Sequence, residues 1–167
     1  MGRGSIMVSG SFTFQEVSTV GPDRLWKAGI LDAHNLLPKL LPDFISKVEL
    51  LEGDGGAGTV KKFHFSEAVK EFRFIVDKTE ELNNEKYILK QSIIEGGLIG
   101  LRLKSYSFEM KLDVGNNGEN LQKTTVFYET LDDTPLSAEE QEQISASLSM
   151  MTKAVEAYLI ANPAAYA

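Results

Sequence analysis

A chain of 167 residues, 43% hydrophobic and 25% charged, has the make-up of one globular domain with a sizeable core. A net charge of -7 argues against nucleic acid as a main partner, because phosphate binding needs concentrated lysine and arginine. The absence of cysteine excludes a disulfide framework and thiolate metal sites, and makes a reducing, cytoplasmic setting the expectation.

No apolar run is long enough to span a bilayer, so no membrane partner is expected. The opening Met1-Gly2-Arg3-Gly4-Ser5-Ile6 lacks the apolar core of a signal peptide, and Ile6 breaks the myristoylation pattern. Residues 1–6 are read as a frayed or vector-derived lead-in to a single domain over residues 1–167.

Val8 to Val17 places Val8, Phe12, Phe14 and Val17 among Ser, Thr and Gln and predicts a first strand. Pro22 opens a short helix with Leu25, Trp26, Ile30 and Leu31, and a second short helix is expected over His34–Leu41, hemmed in by Pro38 and Pro42. From Phe44 the hydrophobic period drops to two. Strands are expected around Ile45–Leu50, Val60–Phe65, Val69–Val76, Tyr87–Ile93, Leu103–Val114 and Leu121–Thr130. Asn116-Asn117-Gly118 is a strong hairpin turn.

The final element is a long helix. Ser137-Ala138-Glu139-Glu140 is a capping box, and Ile144, Leu148, Met151, Val155 and Tyr158 recur at spacings of four and three as one stripe. Asn162-Pro163 ends it. The element order β-αα-β-β-β-β-β-β-α is that of an antiparallel α+β domain.

Gly53-Asp54-Gly55-Gly56-Ala57-Gly58 contains G-x-G-x-x-G, but a dinucleotide fingerprint needs a helix after the last glycine. Thr59 to Phe65 is β-branched, aromatic and alternating instead, and no Gly-Lys-Ser/Thr follows for a Walker loop. The residues read as a glycine-rich hairpin that visits positive φ. His34 opens a helix, and His64, alternating with Phe63 and Phe65, is expected to face solvent. With two histidines so placed no metal site is expected, and no cofactor.

The stretch Glu52 to Lys62 nevertheless resembles the glycine-rich loop of the plant pathogenesis-related class 10 (PR-10) proteins, the Bet v 1 family. Ile94-Glu95-Gly96-Gly97-Leu98-Ile99-Gly100 agrees with it, as does Ala154 to Leu159 followed by Pro163 to Tyr166. Leu25-Trp26-Lys27-Ala28 and Asp32 to Lys39 are similar to the family's helical segment. The resemblance spans residues 8–167. It implies the Bet v 1-like, helix-grip fold: a seven-stranded antiparallel curved sheet wrapped around the C-terminal helix, with two short helices between strands one and two. It also implies a large internal cavity for apolar and amphipathic small molecules. The residues by themselves fit a filled core as well, although Ser145, Ala146, Ser147, Ala154 and Ala157 leave room along the helix.

Strand parity turns Phe63, Phe65, Phe72, Phe74, Leu89, Gln91, Tyr106, Phe108, Met110, Leu112, Thr124, Val126 and Tyr128 inward. With Ile30, Ile45, Leu148 and Met151 they are the expected pocket wall. Lys61 shares their parity, and Gly29 stands where relatives carry an aromatic, which widens that entrance. Gln91 replaces a tyrosine common in relatives. Orientation of a guest is expected from Gln91, Lys61, Tyr106 or Tyr128. Gly53, Gly55, Gly56 and Gly58 form the glycine-rich loop.

The resemblance also carries two activities. Residues invoked for a ribonuclease match Lys61, Glu95, Glu156 and Tyr158, but acid, base and cation must converge on one phosphate, and Glu95 precedes a Gly-Gly turn. Relatives of the norcoclaurine-synthase type use a pocket lysine with carboxylates or tyrosines. Here Leu98 departs from that pattern, and no inward carboxylate is evident beside Lys61. The reading is therefore an intracellular plant PR-10 protein that binds cytokinin-type hormones, flavonoids or other phenolics, with a defence or stress role and without chemistry of its own. Biosynthetic enzyme and weak ribonuclease are the alternatives. A monomer or weak dimer is expected, with outward Ile75 and Phe127 as the dimer patch.

Overall fold

A computed structural model describes residues 7–167; the expectation for residues 1–6 lies outside them. Seven strands form one antiparallel sheet in the order β1-β7-β6-β5-β4-β3-β2. They are β1 (Ser9–Ser18), β2 (Ile45–Glu52), β3 (Val60–Phe65), β4 (Phe74–Asn83), β5 (Ile88–Gly96), β6 (Leu103–Val114) and β7 (Asn120–Thr130). Between β1 and β2 lie α1 (Pro22–Trp26), a π-helical turn (Lys27–Leu31) and α2 (Ala33–Leu40), and α3 (Ala138–Ala161) ends the fold.

The alternation of β1 is cleaner than its sequence suggests: odd-numbered residues from Ser9 to Val17 are exposed and even-numbered ones turn inward. Val17 is consequently 69% exposed, and Glu16 takes the inward place. Helix α2 runs through Pro38, which the sequence reading treated as a boundary. The missing amide costs one hydrogen bond of the helix. Burial of Ala33, Leu36 and Leu37 on one face holds the helix nonetheless.

Residues 66–73 are turns and irregular chain rather than the start of a strand. Carrying the alternation from Phe72 to Phe74 therefore fails, and β4 presents Ile75, Asp77 and Thr79 to the interior in place of Phe74. Phe74 lies on the other side, where the Lys62 ammonium sits 4.5 Å from its ring centroid. The other strands fall within three residues of the predicted bounds. In the β2–β3 loop Gly53, Gly55 and Gly58 all take positive φ, and a side chain at Gly53 would run into Thr59.

Helix α3 begins at the predicted capping box: the Glu140 amide donates to Ser137 Oγ at 3.1 Å and the Ser137 amide to Glu140 Oε1 at 3.0 Å. At its other end the Arg24 guanidinium, from α1, donates to the carbonyls of Leu159, Asn162 and Ala165 at 2.9–3.1 Å. Leu159 is in the last turn, where a helix end leaves carbonyls unsatisfied, and Asn162 and Ala165 belong to the cap and the chain beyond it. Val155 and Leu159 of α3 are buried with Leu25, Trp26, Ala28 and Leu36 in the main core. The packing of α3 is on α1, the π-helical turn, α2 and β1, and it stands off from the middle of the sheet.

Candidate ligand cavity

A helix fixed at its ends and separated from the concave face of the sheet leaves space between them. That space is a cavity of about 650 Å³, well within the roughly 300–1,000 Å³ of small-molecule sites. Fifteen of the residues predicted to contact a guest line it: Gly29, Ile30, Ile45, Lys61, Phe63, Phe65, Phe72, Leu89, Gln91, Tyr106, Phe108, Met110, Leu112, Leu148 and Met151. Of the glycine-rich loop only Gly55 reaches the wall; Gly53, Gly56 and Gly58 do not.

Four predicted contacts are corrected. Phe74 faces away for the reason of parity given above. Thr124, Val126 and Tyr128 are buried, but none borders the cavity. They lie on β7 between β1 and β6, where α3 closes down on β1 and fills the space; the rings of Tyr128 and Phe12 are 6.4 Å apart. Tyr128 therefore cannot orient a guest. Ile75, expected outside as half of a dimer patch, lines the cavity, whereas Phe127 is 40% exposed as expected.

The largest correction concerns charge. An inward carboxylate does exist beside Lys61: Asp77, directly opposite it in the β3–β4 register, is 5% exposed and borders the cavity. Burial pushes its carboxyl up to about 6, with the Lys61 ammonium acting in the opposite direction. Gln91 on β5 donates Nε2–H to Asp77 Oδ2 at 3.1 Å, while Asp77 Oδ1 has no partner. Carrying the even-numbered count of Phe72 and Phe74 into β4 is what hid Asp77. Lys61 is itself 9% exposed, its ammonium 5.9 Å from the Phe63 ring centroid. The Tyr106 hydroxyl accepts the Leu98 amide at 3.1 Å and keeps its own O–H, and burial raises its pKa.

Among the wall residues Glu71, Gln143, Ala146 and Ser147 are exposed, so the cavity meets solvent between the β3–β4 connection and the first half of α3. The small side chains predicted to leave room, Ala146 and Ser147, stand at this mouth. Gly29 lies under the other half of α3, beside Val155.

The four residues matched to a ribonuclease site do not share a site. Lys61 is in the cavity, Glu95 is exposed at the end of β5, Glu156 borders a separate cleft of about 40 Å³ with Glu16 and Asn120, and Tyr158 packs on the core. His64 lies on the outer face and pairs with Glu49, whose carboxyl is lowered first by that hydrogen bond. Among the described residues no group of His, Cys, Asp and Glu is arranged to hold a metal, and no helix is long and apolar enough to cross a membrane.

A cavity roofed by one long helix and floored by seven antiparallel strands is the arrangement that the resemblance implied, and the family model for the "pathogenesis-related protein Bet v 1 family" matches residues 7–162. The chain belongs to the Bet v 1 family. Among curated relatives the major strawberry allergen Fra a 1-2 of Fragaria ananassa is 36% identical over 94% of this chain and 99% of its own. The crystal structure of Ara h 8.0201 superposes with a TM-score of 0.82 at 30% identity, over 93% of this chain and all of that one. Norcoclaurine synthase from Thalictrum flavum, solved with dopamine and hydroxybenzaldehyde, reaches a TM-score of 0.74 at 22% identity over 97% of this chain and 95% of its own. That likeness is one of fold alone.

Proposed function

We propose that this protein is an intracellular PR-10 carrier that takes up a hydrophobic or amphipathic small molecule, such as a cytokinin-type hormone, a flavonoid or another phenolic, in a defence or stress setting. The observation that carries the reading is the open space of about 650 Å³ between α3 and the sheet, walled by Phe63, Phe65, Phe108, Met110 and Met151. Burying a planar apolar body there yields about 25 cal/mol per Å² of surface removed from water. Polar groups at one end of the wall then set its orientation. Affinity is expected to be modest, because a roomy pocket does not preorganise its guest.

Titration with an environment-sensitive dye such as anilinonaphthalene sulfonate tests this. A carrier gives a saturable rise in fluorescence that Met151→Trp weakens by occupying the space. Absence of saturable binding by the dye and by every phenolic tried would reject the reading.

A second reading, a biosynthetic enzyme of the norcoclaurine-synthase type, is favoured by one observation: the buried Lys61 has Asp77 opposite it inside the cavity. A carboxyl held near pH 6 suits proton transfer at neutral pH. Incubation with an arylethylamine and an aromatic aldehyde tests it. Product that Lys61→Met abolishes supports the enzyme; no product leaves the carrier.

A further inference from the structure

The polar end of the cavity is built from three adjacent strands, and its groups are only partly used by one another. Asp77 borders the cavity, is 5% exposed, and has an Oδ1 that is buried without a hydrogen-bond partner. Its other oxygen is fixed by Gln91. Gln91 keeps its Oε1 and one N–H for a guest. Across the register from Asp77 the Lys61 ammonium forms no ion pair among the described residues, although it is nearly as deeply buried. Side by side in an apolar wall there are thus an acceptor that carries negative charge and a donor that carries positive charge.

Such a pair discriminates by chemistry. A guest with a carboxylate satisfies Lys61 and sets its charge against Asp77 in a medium of low polarity, where like charges are costly. A guest with an ammonium group does the reverse. A guest with no polar edge leaves both protein groups dry and unpaired, which carries the full desolvation penalty. A neutral guest with a donor and an acceptor on one edge satisfies both at once.

Resting on the carrier reading above, we infer that the cavity selects uncharged ligands whose planar apolar body ends in an adjacent hydrogen-bond donor and acceptor, a primary carboxamide, lactam or amino-azine edge. The donor meets the Asp77 carboxylate, the acceptor meets Lys61 Nζ, and Gln91 holds that carboxylate in place as a positioning residue. Apolar bulk alone is then not the criterion for entry.

The test uses one body with four ends: 2-naphthamide, 2-naphthoate, 2-(aminomethyl)naphthalene and 2-ethylnaphthalene, titrated against the full chain at pH 7.5. The amide is expected to bind at least roughly tenfold tighter than the other three, the yield of one good hydrogen bond to a charged group. In Asp77→Asn the Lys61 charge is no longer balanced and the amide loses its charged acceptor, so naphthoate should gain roughly tenfold while the amide weakens, and naphthoate should overtake it. In Lys61→Met the amine should gain instead. Equal affinities across the series in the unmodified protein, or a ranking unchanged in both variants, would overturn the inference and leave the carrier standing. Failure of all four to bind would overturn the carrier reading together with it. The ranking in the unmodified protein needs no variant to fold.

Discussion

Arg102, in the turn between β5 and β6, donates to both carboxylate oxygens of Glu140 on α3, at 2.7 and 3.2 Å. The same carboxylate closes the capping box with Ser137, and the same guanidinium reaches the carbonyls of Thr134 and Pro135 at 3.0 Å. One ion pair thus fixes the start of α3 to the sheet, as Arg24 fixes its end. The helix is suspended between two arginines over a space that it does not fill.

Cutting the first tie is expected to cost stability. Arg102→Met should lower the unfolding free energy by about 1–2 kcal/mol, the worth of charged hydrogen bonds discounted for partial exposure. The hydrogen bond from Arg102 is the first cause holding the Glu140 carboxyl down to about 2 from an ordinary 4.5. A depressed carboxylate stabilises above its unfolded value and loses that contribution as pH falls through its folded one. The difference between Arg102→Met and the unmodified protein should therefore shrink between about pH 4.5 and pH 2 in urea titrations.

Cutting the second tie acts elsewhere in the chain. Arg24→Met removes the donor to Leu159, Asn162 and Ala165. Amide hydrogen exchange should rise in residues 158–166 and stay unchanged at the capping box, with a loss of about 1–3 kcal/mol in overall stability.

Asp77 has the opposite pH signature. Its folded carboxyl, near 6, lies above its ordinary 3.8 because burial disfavours the charge. The folded state then binds the proton more tightly than the unfolded one, and stability falls as pH rises from about 4 to 6. The cost at neutral pH is roughly 3 kcal/mol for a shift of this size. Asp77→Asn removes the titration, so its melting temperature should exceed that of the unmodified protein at pH 8 by more than at pH 4. A constant offset at the two pH values would show that the carboxyl is not shifted.

Gly29 offers a gain. A Cβ built there meets Val155 Cγ1 at 3.5 Å, an ordinary contact, and the position lies in a helical turn with no positive φ. Gly29→Ala should stabilise by about 0.5–1 kcal/mol through helix propensity and a less flexible unfolded chain. Thermal unfolding checks this.

The sequence was most informative where one rule governed a whole element. Ser137 with Glu140 placed the start of α3 to the residue, and Asn116-Asn117-Gly118 separated β6 from β7. Failure came where a local count was carried through a break. Treating Val69–Val76 as one strand turned Phe74 inward and hid Asp77, because the chain from 66 to 73 is irregular and resets the alternation. Thr124, Val126 and Tyr128 were rightly placed on the inner face, but inner face and cavity differ where α3 descends onto β1. That distinction depends on the tilt of a helix across the sheet, which no periodicity encodes.

The carrier reading stands on α3 keeping clear of the middle of the sheet. An electron-density map of the protein crystallised with 2-naphthamide tests this most directly. The account predicts the guest lying between Met151 and Phe108 with its amide at Asp77 and Lys61, and the wall side chains where they are without it. Side chains packed through that space, with the amide found on the outer surface or nowhere, would contradict it.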